Sequence, residues 1–412
     1  FLERPRMECR LLVVLLFCWS CFSLRLTHEE YRKLTDDAMK ENSVLIQDVL
    51  SRPCRITVDF EGKPSMNVTP PVEFRDHMIP GRLCLVYQGS NTDKPTLVSF
   101  VDTLSYLQSD VIWSGFLNRA YYAMQQDQTF YLWLGKLPKE KRETFKSVHD
   151  TIPIHFLKCG EVRDPMDGLH VVKVLAMLSL FEMPNPPKKV FYLDADMFVP
   201  FTSKYKAFTD IERNFDDPSV FLIGNAGRRW QDKYQLMNAG LLGAKNNDDA
   251  KRFLGLWWQI QCGTKDQLSL YLVMMAYFSS LGTNFEFDVD ELGLDNYEKN
   301  EKGHVSYMHV LNHIEEIRNS PRCVRSPREF VKDGGKFDTH NHLLVDDPLC
   351  GLVTSSVEEN SFCHCHWRGS SSCKNIWICK HIWPPPYENA PLGGDELQFT
   401  PGWTLPHYHL HS

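Results

Sequence analysis

The stretch Lys188–Pro200, "KKVFYLDADMFVP", decides the fold: an apolar run from Val190 to Leu193 leads straight into two carboxylates, Asp194 and Asp196, separated by one alanine, and the chain turns apolar again at Met197. A short continuous apolar run between polar residues is the pattern of a strand buried on both faces. The carboxylates then stand where the strand stops and bends, so that both can serve one site. Just upstream, "DGLHVVKVLAMLSLF" (Asp167–Phe181) is dense enough in apolar residues for a buried helix, with Asp167 as its N-cap and "PNPP" breaking the chain after it. Earlier still, "TLVSFVDTL" reads as a buried strand ending at Asp102, "GFLNRAYYAMQQD" as a helix carrying Asn118 and Arg119, and "TFYLWLG" as another strand. Strand, helix and strand at these lengths predict a parallel α/β sheet, with Asp194 and Asp196 at the C-terminal end of a central parallel strand, where open sheets bind ligands.

The chain has 412 residues, 43% hydrophobic and 12% aromatic, which is enough apolar material for a sizeable core. Its formal charge of -7, with acidic and basic residues interleaved, offers no footprint for nucleic acid. An apolar run of about 14 residues from Leu11 to Leu24, preceded by Met7 and Arg10, has the build of a secretory signal peptide; it is short of the roughly 20 residues that span a bilayer, so an uncleaved membrane anchor is the second choice. Ten of the 13 cysteines lie beyond that segment, and six of these fall between Cys323 and Cys379, which predicts disulfides in a secretory or secreted protein and a stapled C-terminal part. The sequon at Asn67 fits the same route. The expected organisation is a signal segment over 1–26, an N-terminal stalk or irregular subdomain over 27–95 that opens with an amphipathic helix (28–50), the α/β domain over 96–383, and an extended tail over 384–412.

Paired carboxylates at a strand end are hard oxygen ligands that suit Mn²⁺ or Mg²⁺, which prefer a few carboxylates together with phosphate oxygens and water. "VFYLDADMFV" resembles the DxD motif of GT-A glycosyltransferases, which use a nucleotide-sugar donor and a divalent metal. Downstream, "LMNAGLLGAKN" (Leu236–Asn246) resembles the asparagine-x-glycine strand of such enzymes, and "KDQLSLYL" resembles the Asp-Gln pair that begins a helix in Golgi galactosyl- and mannosyltransferase families. "HCHWRGSSSCK" (His364–Lys374) resembles their late histidine motif, with His364 competing with His366 as ligand. The resemblance covers about Thr96 to Lys380. It implies an α/β fold of GT-A type, a Rossmann-like mixed sheet flanked by helices. It also implies a metal held by Asp194, Asp196 and His366; a donor met by Asp194, Lys173, Asn238, Gly240 and Lys374; and Asp266 and Gln267 beside the transferred sugar. The implied reaction carries a hexose from a UDP- or GDP-sugar to a hydroxyl of a glycan or glycoprotein in the Golgi or ER lumen, with retention of configuration.

Plainer readings stand beside these. The aspartates suit a solvated strand-end turn, Lys173 a lysine snorkelling from an apolar helix, Asn238 a strand-end turn, and Asp266 a first-turn carboxylate. The second Asp-x-Asp, Asp288 and Asp290, suits a solvated acidic loop, and Trp257 and Trp258 suit helix packing. The Cys363–Cys379 cluster has zinc-ligand residue types without finger spacing. As whole functions, the rivals are a non-catalytic binding protein on the same scaffold and a haloacid-dehalogenase-type phosphatase, whose motif usually carries Thr or Val where Phe198 stands.

Overall fold

The computed structural model describes residues 27–58, 68–69, 81–107, 110–135, 171–199, 211–225, 237–259, 266–281, 320, 348–355 and 363–364. The expected signal segment, Asp167, the Asp288/Asp290 pair, His366, Lys374 and the C-terminal tail lie outside them. No helix among the described residues is long and apolar enough to cross a membrane.

Among the described residues a nine-stranded sheet forms the middle layer. Its strands are β1 (Cys54–Arg55), β4 (Arg82–Tyr87), β5 (Thr96–Val101), β6 (Phe130–Leu134), β7 (Lys189–Leu193), β9 (Leu222–Asn225), β10 (Asn238–Lys245), β11 (Pro348–Leu349) and β12 (Leu352–Ser355). Two small ribbons pair β2 (Thr57–Val58) with β3 (Val68–Thr69) and β8 (Met197–Phe198) with β13 (Cys363–His364). Across the sheet the order is β1-β4-β6-β5-β7-β10-β9-β12-β11. The strand β7, Lys189–Leu193, is therefore the middle one, and Val190, Phe191, Tyr192 and Leu193 are all buried in it.

The sheet is mixed rather than parallel around that strand. β7 runs parallel to β5 but antiparallel to β10, and β10 is antiparallel to β9 as well. Periodicity in "NAGLLGAK" marks a strand without fixing its direction, so the central parallel environment expected for β7 holds on one side only. Beyond β5, β6 is also parallel. The order β6-β5-β7 means that the chain leaves β5 towards one side and reaches β7 on the other. Between β5 and β7 the winding reverses, and such a reversal opens a crevice at the C-terminal strand ends.

Helices cover both faces. On one lie α1 (His28–Leu50), α4 (Val172–Phe181), α5 (Asp248–Gln259) and α6 (Asp266–Ser280); on the other lie α2 (Leu104–Leu107), α3 (Asp110–Gln126) and a 3₁₀ turn, Arg213–Asp216. Alternation along β7 serves both layers: Val190 and Tyr192 join the first core, Phe191 and Leu193 the second. α4 is buried all round because it lies between the sheet and α1 and α5.

The helix expected to open an N-terminal stalk or subdomain does not stand apart. In α1 the residues Tyr31, Thr35, Ala38, Asn42, Leu45, Ile46 and Val49 recur at helical spacing, and all are buried against α4, α5 and α6. Thr27 and Glu30 close its N-terminus as a capping box. The same N-terminal stretch supplies β1 and β4 to the main sheet, where Cys54 and Cys84 are register partners joined by a disulfide. Cys350, beside β11, is also disulfide-bonded.

Candidate functional site

β7 ends at Leu193, and the next four residues form a turn closed by the Met197 amide donating to the Asp194 carbonyl at 3.0 Å. The Asp194 amide donates in turn to the Gly240 carbonyl at 2.8 Å, so the first aspartate is tied to β10 by its own backbone. Asp194 and Asp196 are both half-buried while Ala195 between them is buried. The turn sits at the C-terminal edge of β7, beside the crevice where the winding reverses, and Asp102 follows β5 at the same edge.

Lys173 enters this place from α4. Its ammonium pairs with Asp194 Oδ1 at 3.0 Å and with Asp266 Oδ2 at 2.6 Å, and donates to the Ala239 carbonyl at 2.9 Å. The lysine side chain is only 3% exposed, against 26% for Asp194 and 14% for Asp266. Burial pulls the ammonium's pKa down, but the two carboxylates and their hydrogen bonds outweigh it and leave the pKa above the ordinary lysine value. The Tyr192 hydroxyl also donates to Asp194 Oδ1, at 2.8 Å, and the Lys173 ammonium lies 4.8 Å from the centre of that ring. Lys173 thus does not snorkel. Three protein acceptors surround its ammonium: Asp194 Oδ1, Asp266 Oδ2 and the Ala239 carbonyl.

Asp266 is the first residue of α6, and the start of that helix is pinned by a tryptophan. The indole of Trp257 donates to the Asp266 carbonyl at 3.3 Å and to the Ser269 hydroxyl at 3.1 Å. Trp257 and Trp258 are both buried, in keeping with packing.

On the opposite face α3 grips the turn. The Arg119 guanidinium is fully buried and donates to the carbonyls of Asp194, Ala195 and Met197. Asn118 closes a two-way pair with Val199, donating to its carbonyl at 3.0 Å and accepting from its amide at 2.7 Å. At Gly115 a Cβ would come within 2.7 Å of the Ala195 carbonyl, so only glycine allows the helix this close. Burial brings the Arg119 pKa down to about 10, which leaves it charged at neutral pH. Tyr106, in α2, has its phenol pushed up to about 12, first by burial and then by Asp196, Asp194 and Asp102.

Three of the residues expected at a site, Lys173, Asp194 and Asp266, come from separate segments and meet here, with Gly240 beside them. Asp196 is in the same turn. Asn238 opens β10 and Gln267 follows Asp266 in α6, although only their backbones are described. His366 and Lys374 lie outside the described residues, but β13 runs antiparallel to β8, with His364 opposite Met197 and Cys363 opposite Phe198. Among the described residues no three His, Cys, Asp or Glu side chains gather as a metal-binding group. The donor chemistry nonetheless suits a hard divalent cation: Asp102, Asp194, Asp196 and Asp266 outnumber the buried Lys173 and Arg119 around the turn, and the field of three of these carboxylates reaches Tyr106.

Sequence reasoning named Asn118 and Arg119 without giving them a part, and passed over Gly115, Tyr106 and Tyr192. The usable signal was a charged residue on an apolar stripe. Ile112, Phe116, Ala120 and Ala123 mark the buried face of α3, and Arg119 lies within it.

No family model and no curated protein matches the chain. Among solved structures it is similar to a glycosyltransferase involved in the glycosylation of the major capsid of PBCV-1, with 14% identity and a TM-score of 0.28. That similarity covers 40% of this chain and 65% of the other, less than two thirds of its length. At such identity and score the likeness says nothing about activity.

Proposed function

We propose that the chain is a metal-dependent glycosyltransferase that carries a sugar from a UDP- or GDP-sugar to a hydroxyl of a glycan or glycoprotein. One observation carries this reading: the Lys173 ammonium ties Asp194, in the turn after β7, to Asp266, at the head of α6, at the edge of the sheet where ligands bind. Residues 72 positions apart in sequence (266 − 194) are thereby held in one charge network. A strand-end turn that merely faced solvent would have no call for a buried lysine between two carboxylates, since burying these charges costs several kcal/mol per ion before pairing.

Asp194 and Asp196 would hold Mn²⁺ or Mg²⁺, with His366 as a third ligand and His364 as its competitor; the pairing of β13 with β8 supports the return of that histidine segment to the turn. The bound ion would supply Lewis-acid stabilisation of the leaving diphosphate. Lys173 and Tyr192 fix Asp194 Oδ1, which sets the direction of that carboxylate before any ligand arrives. Trp257 fixes the first turn of α6, where Asp266 and Gln267 would stand beside the transferred sugar. Asn238 and Gly240 would line the sugar pocket, and Lys374 would meet the diphosphate as a point charge. Retention of configuration follows from the resemblance alone. A secretory-lumen setting is supported by the Cys54–Cys84 disulfide.

Donor hydrolysis screened across UDP- and GDP-sugars, with Mn²⁺ and with chelator, tests the reading. Release of nucleoside diphosphate from one donor class, abolished by chelator, is expected. Metal-independent release, or turnover of phosphomonoesters instead, would overturn it.

A further inference from the structure

We propose that Arg119 and Asn118, admitted by Gly115, are positioning residues that set the direction of the Asp194 and Asp196 carboxylates for a divalent cation, an inference that rests on the metal reading above. The Arg119 guanidinium takes the carbonyls of Asp194, Ala195 and Met197 from one side. The Asp194 and Ala195 carbonyls belong to the peptide planes just after Asp194 and just before Asp196, while the planes before Asp194 and after Asp196 are held by the Asp194 amide on the Gly240 carbonyl and the Met197 amide on the Asp194 carbonyl. Fixing the peptide planes on either side of a residue fixes its Cα–Cβ direction, so the guanidinium fork and these two amide bonds together set where both side chains leave the turn, and Asp194 leaves it towards Lys173 of α4, away from α3.

Asn118 locks the far end of the same segment, because its amide both donates to and accepts from the backbone of Val199. The turn is therefore clamped at Asp194 by β10, across its middle by Arg119, and at Val199 by Asn118.

Arg119 is a costly choice for packing alone. Its guanidinium is fully buried, it donates to the neutral carbonyls of Asp194, Ala195 and Met197, and its Nε has no hydrogen-bond partner among the described residues. An apolar side chain of similar volume would fill the space without desolvating a charge. What the apolar chain could not do is hold three carbonyls at fixed angles. The positive charge beneath the turn also offsets part of the repulsion between two carboxylates that must stay close before a cation reaches them.

The test is Mn²⁺ binding to the metal-free protein, followed by electron paramagnetic resonance, together with thermal unfolding in chelator. The proteins compared are wild type, Arg119→Lys, Arg119→Met and Asn118→Ala. Arg119→Lys keeps the charge but loses the fork, and Asn118→Ala leaves Arg119 intact. Both are expected to fold and to bind Mn²⁺ about tenfold or more weakly, the size of effect usual when a ligand loses its supporting partner. Should Arg119→Met fail to fold, these two variants still decide the matter. Melting temperatures that fall while Mn²⁺ affinity stays at the wild-type value would overturn the positioning role and leave the metal reading in place. A wild-type protein that binds no Mn²⁺ would overturn both.

Discussion

Lys173 holds together what the sequence scatters. Its removal would leave Asp194 and Asp266 facing each other without their shared counter-ion in a largely buried place. Lys173→Met should therefore cost about 3–5 kcal/mol in denaturant unfolding, as is usual when one member of a buried pair is deleted. A loss below about 1 kcal/mol would mean that the carboxylates find other partners at little cost. How legible these residues were depended on their neighbours in sequence. Asp194, Asp196 and Asp266 stand out because carboxylates beside apolar runs are unusual, and Lys173 because it interrupts an apolar helix. Arg119 and Asn118 were equally visible as letters, but what they grip lies 75 to 81 positions away, a separation that no local pattern reveals.

At the scale of elements, amphipathic spacing made α1 legible as a helix but not as part of the core. A periodic stripe tells which face is buried and leaves its partner open. The partner is chiefly α5, and the contact includes a polar knot: the Asn42 amide donates to the Gly255 carbonyl at 3.3 Å and accepts from the Gln259 side chain at 2.6 Å. Asn42→Ala should destabilise by about 1–3 kcal/mol, because it strands the buried Gln259 amide. Deleting residues 27–50 should abolish cooperative unfolding altogether, since Tyr31, Leu45, Ile46 and Val49 belong to the main core. A truncated protein that still melts cooperatively would restore the stalk reading. Direction within the sheet was likewise hidden. β7 and β10 are both apolar runs, and their antiparallel pairing depends on the long-range path of the chain rather than on the residues in either strand.

Over the whole molecule, the buried and partly buried tyrosines set an alkaline limit. Tyr106 is raised from 10.0 to about 12, and Tyr31, Tyr192 and Tyr277 are raised too, in each case first by burial. The folded state then holds protons that the unfolded chain releases, so stability is intact below pH 10 and falls progressively as pH rises towards about 12 and beyond. Tyrosinate absorbance should rise together with loss of structure; free titration of all these phenols near pH 10 in a folded protein would contradict their burial. The α/β class was legible because strand and helix periods alternate over Thr96–Leu193, whereas the nine-strand order was not, because it joins segments as distant as β1 and β12. That order places the Asp194–Asp196 turn at the crevice between β5 and β7, and the account as a whole stands on what the turn binds. Calorimetry of UDP and GDP with Mn²⁺, in wild type and in Asp196→Ala, is the direct measurement. Mn²⁺-dependent binding of one nucleotide to wild type and its loss in the variant are expected; equal binding to both proteins, or none to either, would contradict a metal and nucleotide site at the turn.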